Sequence, residues 1–362
     1  MNNSYRFKRI VVKVGSNVLT RPDGTLDTTR MSALTDQLAA LHRAGVEVIL
    51  VSSGAVASGR NELKTQRKLD SVSARQLFSA VGQVKLINHY YELFREYGIT
   101  CGQVLTTKEN FSTRRHYLNQ QHCMSVMLEN GVVPIVNEND TISVTELMFT
   151  DNDELSGLVA AMMGAEALVI LSNIDGIYDG SPSDPASQVI RRVAPGRDLS
   201  QYIDTARSSR GRGGMTTKSR ISSRAAGEGI EVVIANGRRD NILTDLILTD
   251  RDVVCTRFEA APRPASGVKK WIASSEGFAK GALHLDAGAA AAVSQSKAAS
   301  ILAVGVTAVE GDFERDDIVR ILSPEGAPLG VGRISCDSAT ARRNLGRKGL
   351  KPLIHCDYLY LE

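Results

Sequence analysis

Six short apolar runs, each closing on a turn of small or polar residues, constrain this chain more than any other feature. They are Arg9–Val14, Val46–Val51, Ile99–Leu105, Val132–Val136, Ala167–Leu171 and Ile230–Ala235. Their composition is that of strands buried on both faces, as in parallel sheets. Between them lie helix-length segments: residues 28–44 ending at Gly45, 71–97 with a break expected at Gly82, 112–130, 151–164 and 219–227. Strands that alternate with helices predict an α/β fold, a mostly parallel open sheet sandwiched by helices. In such a sheet ligands sit at the carboxyl ends of the strands, so the chemistry belongs in the residues that follow each run.

The richest of these strand ends is Asn137-Glu138-Asn139-Asp140, followed after a short linker by Thr150-Asp151-Asn152-Asp153-Glu154-Leu155-Ser156-Gly157. Asp151 or Asn152 can cap a helix there, and Leu155, Leu158, Val159 and Met162 give that helix an apolar stripe. A solvated loop with a good cap is the plain reading, but two Asn-and-Asp clusters at element ends favour a site. The first run carries Lys13 inside an otherwise apolar strand and is followed by Gly15-Ser16-Asn17. A glycine at that point lets a backbone N–H approach a ligand. The second ends in Ser52-Ser53-Gly54-Ala55, whose hydroxyl and N–H groups suit a carboxylate or phosphate. After the fifth come Ser172-Asn173 and Asp175-Gly176-Ile177-Tyr178, a turn that ordinary loop chemistry explains as well as a nucleotide does. Gly211-Arg212-Gly213-Gly214-Met215-Thr216-Thr217-Lys218 sets exposed N–H groups and a lysine ahead of a helix, as a polyphosphate requires. It lacks the Gly-Lys-Ser/Thr order of a Walker A loop, and no Gly-x-Gly-x-x-Gly follows a strand.

At 362 residues the chain is long enough for two domains. Its net charge of +3 gives no bulk reason for nucleic-acid binding. Five scattered cysteines without a Cys-x-x-Cys pair argue against zinc and against a disulfide framework, and so for a reducing cytosol. The first residues do not read as a signal peptide, and the longest apolar stretch, near 158–171, is interrupted by Gly164 and Glu166, so no membrane span is expected. Periodicity stops around residues 257–270, where Pro262-Arg263-Pro264-Ala265-Ser266-Gly267 reads as a linker. Beyond it are β-like pieces at 281–285, 301–309 and 318–322 and a hairpin-like Ser323-Pro324-Glu325-Gly326. The expected division is a catalytic domain over 1–257, a linker over 258–270 and a small, mainly β domain over 271–362. The stretch from Arg257 onward carries 14 Lys and Arg against 12 Asp and Glu, so its charge is nearly balanced. A solvated helix face accounts for the basic cluster of Arg342, Arg343, Arg347, Lys348 and Lys351 at least as well as a nucleic-acid patch does.

Taken together, Val51–Ala55, Asn137–Asp140 with Asp151–Asp153, and Gly213–Lys218 resemble the amino-acid kinase family, in the branch that acts on glutamate. Trp271-Ile272-Ala273-Ser274-Ser275 and Ala308–Arg315 resemble the PUA domain that follows the kinase domain in bacterial members of that branch. The likeness spans nearly the whole chain, and it rests on the order and spacing of motifs that are individually weak. It implies ATP-dependent phosphorylation of the γ-carboxylate of L-glutamate to γ-glutamyl phosphate, the first step of proline biosynthesis, with Mg²⁺ as cofactor and L-proline as feedback inhibitor. The inhibitor would compete near the linker between the two acid clusters, which includes Glu146. The resemblance also implies a cytoplasmic homo-oligomer, a dimer or tetramer. Lys13 and Lys218 would flank the transferring phosphoryl group, with Asp153 holding them and helping to place the metal. N–H groups of Gly15 and Gly54 would meet phosphoryl or carboxylate oxygens. Ser53, Gly54, Asp140 and Asn152 would bind glutamate, the aspartate its α-ammonium, the serine and the amide its carboxylates. Lys13, Gly15, Ser172, Asn173, Arg212, Gly213, Gly214, Met215, Thr216, Thr217 and Lys218 would line the nucleotide. Two departures fall on the nucleotide side: Ser172-Asn173 stands where the family often has Thr-Asp, and Arg212 where it usually has a small or hydroxyl residue.

Two rival readings follow from the same residues. One is a related kinase for aspartate, N-acetylglutamate, UMP or carbamate, against which the PUA-like tail argues. The other is an RNA-binding protein acting through that tail, which balanced charge weakens.

Overall fold

The structure is a computed structural model and describes residues 6–63, 69–111, 114–142, 149, 151–182, 184–202, 214–262, 272, 279–295 and 299–361. It forms two compact units, Met1–Lys108 with Leu118–Pro264, and Glu109–Tyr117 with Ala265–Glu362. The first is built on the strands β1 (Arg9–Val14), β2 (Glu47–Ser52), β3 (Cys101–Thr106), β4 (Val133–Glu138), β5 (Ala167–Ser172), β6 (Arg192–Val193), β7 (Glu231–Asn236) and β8 (Thr256–Phe258). They lie in the order β3-β4-β2-β1-β5-β7-β8-β6. From β3 to β7 all neighbours are parallel, and β8 turns antiparallel against β7. The parallel, helix-sandwiched sheet expected from the six apolar runs is therefore the fold. Strands β1 and β5 are central, and from their second residue on they are buried throughout. That is why these runs do not alternate with polar residues.

The helices are α1 (Ser16–Leu19), α2 (Thr28–Arg43), α3 (Ala55–Glu62), α4 (Ser71–Glu96), α5 (Arg114–Glu129), α6 (Asn152–Met163), α7 (Met215–Gly227) and α8 (Ile242–Ile247). Two of them depart from the sequence expectation. Helix α4 runs unbroken through Gly82, because that glycine serves packing rather than a bend. A Cβ on Gly82 would stand 1.8 Å from the carbonyl oxygen of Ala55, and one on Gly59 would stand 1.8 Å from that of Phe78. Two glycines thus let α3 and α4 touch backbone to backbone. Helix α7 begins at Met215 rather than Ser219, so Thr216, Thr217 and Lys218 belong to its first turn. Its N-cap, Gly214, has extended φ and ψ and makes no side-chain cap.

The second unit carries an independent sheet, β10 (Val306–Gly311), β9 (Gly281–Leu285), β11 (Ile318–Leu322), β12 (Pro328–Arg333) and β13 (Leu359–Leu361) in that order, with helices α9 (Ala287–Gln295) and α10 (Ser338–Arg343). Its own core gathers Leu283, Leu285, Val319, Ile321, Ile334 and Ile354. Strands β11 and β12 form the expected hairpin. The N–H of Ser323 donates to the carbonyl of Ala327, and Gly326 takes φ +82°, a left-handed value that glycine adopts without strain. Of the residues carrying the PUA likeness, Trp271 and Ala273–Ser275 lie outside the described residues. No helix among the described residues is long and apolar enough to cross a membrane.

Candidate active site

Because β1, β2, β4, β5 and β7 are parallel, the turns that follow them gather on one edge of the sheet. A cavity of about 570 Å³ opens there. Its lining includes Lys13, Gly15, Ser16, Asn17, Ser53, Asp151, Asn152, Asp153, Ser172, Asn173, Tyr178, Gly214, Met215 and Lys218. Residues from five separate strand ends and helix starts are thus brought to one wall. Gly54, Asp140, Thr216 and Thr217 are not part of that lining. Arg212, Gly213 and Glu146 lie outside the described residues.

Asp153 organises the site. It is the second residue of α6 and is wholly buried, as is Ser156 one turn on, whose hydroxyl donates to the Asp153 carbonyl at 2.8 Å. Asp153 Oδ1 forms an ion pair with Lys13 Nζ at 2.5 Å, and Oδ2 accepts from Lys218 Nζ at 2.8 Å. Lys13 is held from the sheet, in register between Val51 of β2 and Ile170 of β5. Lys218 reaches the same carboxylate from α7. Gly157 permits that approach, since a Cβ there would stand 2.8 Å from Ile221 Cγ2 and push the two helices apart. Burying two ammonium groups alone would be prohibitive, and the shared carboxylate offsets that cost. Although burial opposes ionisation of Asp153, the two lysines outweigh it and hold its carboxyl down at about 2.

Asp151 beside it behaves oppositely. Its Oδ1 caps α6, accepting the N–H of Asp153 at 2.9 Å and of Glu154 at 3.0 Å. Its Oδ2 is buried and accepts no hydrogen bond from the described residues. Burial first, then the charge of Asp153, push this carboxyl up to about 6. The sequence marked Asp151 as a cap; its orphaned oxygen on the cavity wall shows only in the structure.

Asn152 is oriented by its neighbours. The Oδ1 of Asn137 accepts the N–H of Glu138 at 2.9 Å, and the Asn137 amide donates to Gln83 Oε1 at 2.9 Å, which fixes how Asn137 faces. The atom of Asn152 that lies 3.0 Å from this oxygen and 3.1 Å from the Ser52 carbonyl must therefore be its nitrogen, which also donates to Ser53 Oγ at 3.0 Å. With the two protons of Nδ2 shared among three acceptors, Asn152 has its carbonyl oxygen left to offer, an acceptor. That suits an ammonium rather than the carboxylate expected from the sequence. Ser53 Oγ, already accepting, keeps its proton to donate. Gln83 and the buried Tyr90, whose hydroxyl lies 2.9 Å from Ser52 Oγ, were not singled out by sequence patterns, and Asn137 was marked only as part of a polar cluster. They read as helix or strand residues until the tertiary structure shows which way they point.

One expected contact is already used. The N–H of Gly15 donates to the Leu171 carbonyl at 3.2 Å, so it ties β1 to β5 rather than facing a phosphoryl group. The next N–H groups, of Ser16 and Asn17 in the short α1, find no acceptor among the described residues and line the same wall. A Cβ at Gly15 would stand 3.3 Å from the Leu171 carbonyl oxygen and 3.4 Å from Lys13 Nζ, a fit only slightly tighter than ordinary contact. Behind the turn after β5, Asp175 accepts from Nε and Nη2 of Arg239 at 2.8 Å and from the Asn236 amide at 3.1 Å. This fixes the turn that presents Asn173 and Tyr178.

A buried carboxylate bridging two lysines, at the carboxyl ends of a parallel sheet and beside free N–H groups, has the charge and donors that phosphoryl transfer requires. Residues 8–236 match the Amino acid kinase family and residues 281–353 match the PUA domain. The chain belongs to the amino acid kinase family. Its relatives include the glutamate 5-kinase of Bacteroides thetaiotaomicron, 68% identical over 356 residues that make up 98% of this chain and 99% of that protein. The glutamate 5-kinase of Chlorobaculum tepidum is 47% identical over 357 residues, 98% of each. An X-ray structure of isopentenyl phosphate kinase shares the fold at a TM-score of 0.50 and 17% identity, covering 69% of this chain and 99% of that one.

Proposed function

We infer that this protein transfers the γ-phosphoryl group of ATP to the γ-carboxylate of L-glutamate, giving γ-glutamyl phosphate and ADP, the first step of proline biosynthesis. The observation that carries the reading is the Lys13–Asp153–Lys218 bridge on the cavity wall, in a chain 68% identical to a glutamate 5-kinase along nearly its full length. A bond forms between a γ-carboxylate oxygen and the γ-phosphorus, and the bond from that phosphorus to the β,γ-bridging oxygen breaks. The nucleophile is already an anion at neutral pH, so no base is needed. Asp153 fits that requirement: held near 2 and bound by two lysines, it stays ionised at neutral pH and acts as an organiser rather than a base. The barrier is the approach of one anion to another. Two ammonium groups fixed on either side of one carboxylate meet it by charge stabilisation and alignment.

Ser53 donates its hydroxyl proton to a substrate carboxylate, while Asn152 Oδ1 and Asp140 accept from the α-ammonium. The nucleotide lies along Ser172, Asn173, Gly214, Met215 and the first turn of α7. Bound Mg²⁺ would supply further neutralisation of the phosphate charge. Of the two aspartates at the start of α6, Asp151 would have the oxygen to spare for it, since each oxygen of Asp153 faces a lysine ammonium. The protein acts in the cytoplasm as a homo-oligomer and is inhibited by proline. The test is ADP release with ATP, Mg²⁺ and a panel of glutamate, aspartate, N-acetylglutamate, UMP and carbamate, with hydroxylamine to trap an acyl phosphate. Glutamate-dependent ADP together with γ-glutamyl hydroxamate is expected, and turnover on another acceptor alone would overturn the assignment. Unchanged glutamate turnover at millimolar proline would remove the inhibition from this reading.

A further inference from the structure

Arg75, in the second turn of α4, is not part of any motif noted in the sequence. Its Nη2 donates to Glu138 Oε2 at 2.7 Å and also bonds Asp140 Oδ1. The carboxylate side chains of Glu138 and Asp140 are only 6% and 9% exposed, and that of Arg75 only 15%. The other oxygen of each acid is held as well. Glu138 Oε1 accepts the Phe149 N–H at 3.0 Å, and Asp140 Oδ2 lies 3.4 Å from Ser79 Oγ. One guanidinium nitrogen thus ties the end of β4 to α4, with both acids turned towards a single charge.

We propose that Arg75 is a specificity-determining positioning residue: by sharing its one positive charge between Glu138 and Asp140, it leaves this trio with one net negative charge, matched to a single α-ammonium. The inference rests on the reading above that Asp140 receives the α-ammonium of glutamate. A buried pair of carboxylates without Arg75 repel one another and are pushed apart. That displacement misplaces the acceptor before the substrate arrives. With Arg75 present and Glu138 made neutral, the trio has no net charge and gives a zwitterionic head group no electrostatic preference. The glutamate side therefore depends on the balance of three side chains, not on Asp140 alone, while the phosphoryl side at Lys13 and Lys218 is untouched.

The two single variants therefore disturb the balance in opposite directions, and the double variant restores it. Steady-state kinetics are measured on the full chain for wild type, Arg75→Met, Glu138→Gln and the double variant, together with thermal unfolding. Arg75→Met raises the glutamate KM roughly ten- to hundredfold, and Glu138→Gln raises it about tenfold. The double variant, with Asp140 as the one remaining charge, recovers to within about fivefold of wild type. The ATP KM stays within about twofold in all of them, because the nucleotide contacts are unchanged. A merely structural role predicts instead that thermal stability and the KM values of both substrates move together, not the glutamate KM alone. A glutamate KM for folded Arg75→Met within about twofold of wild type, or a double variant no better than Arg75→Met, overturns the proposal. If Arg75→Met does not accumulate as folded protein, Arg75→Gln with and without Glu138→Gln decides by the same rule. Wild type is assayed first. Absence of glutamate turnover there overturns the substrate assignment, whereas normal wild-type turnover with the wrong order among variants overturns only the role of Arg75.

Discussion

Replacing Asp153 by asparagine keeps the shape of the side chain and removes the charge that two buried lysines share. The carboxyl is lowered from 3.8 to about 2 in the folded protein. At about 1.4 kcal/mol per pKa unit this corresponds to roughly 2–3 kcal/mol of stability at neutral pH. The side chain is 1% exposed, so solvent screening takes little from that figure. Stranding two buried ammonium groups sets the upper end, about 5 kcal/mol. In a domain of this size the lower figure lowers the unfolding midpoint by roughly 5–10 °C at pH 7. Because the folded pKa is depressed, the stabilisation is complete above pH 4 and is lost as pH falls through about 2. At pH 3 roughly half of it remains, so the difference between wild type and Asp153→Asn narrows from pH 7 to pH 3. Turnover falls as well, by about 10²–10³, since neither lysine is then held against the phosphoryl group. Thermal unfolding at both pH values and ADP release at pH 7 test this. A stability deficit as large at pH 3 as at pH 7, or turnover within tenfold of wild type, would refute the account of Asp153 as the charge that positions both lysines.

Lys218→Ala should retain the fold and lose turnover by about 10²–10³, measured as ADP release, since the other lysine and the sheet are untouched. Asp151→Asn keeps the helix cap but removes a carboxyl held near 6. Raised in the folded state, that carboxyl costs stability as pH rises from about 4 through 6. The variant should therefore melt above wild type at pH 7.5 and lose that advantage near pH 4. Asn137→Ala frees the Asn152 amide and leaves Gln83 and the Glu138 N–H without their partner. It should cost about 1–3 kcal/mol and raise the glutamate KM more than the ATP KM in initial-rate assays. Gly82→Ala forces a methyl into the Ala55 carbonyl and should lower stability by about 1–3 kcal/mol or more in urea unfolding.

Strand composition alone determined the parallel sheet, because a strand covered on both faces must be apolar at every position, and that is visible residue by residue. The exception within β1, Lys13, was legible for the same reason: a lysine in such a strand needs a counter-charge. The sequence also located the polar turns and the start of α6, since capping is a local matter of residue type. Only the tertiary structure decided how those turns are used. It paired Asp153 with both Lys13 and Lys218, committed the Gly15 N–H to Leu171, engaged the Asn152 amide nitrogen with Asn137, Ser52 and Ser53, and ran α4 straight through Gly82. It also set Arg75 between Glu138 and Asp140, across more than sixty residues of chain. Residue type governs burial and capping, which depend on a few neighbours along the chain. The direction in which a hydrogen bond or an ion pair points depends on elements brought together from far apart, and no local pattern records it.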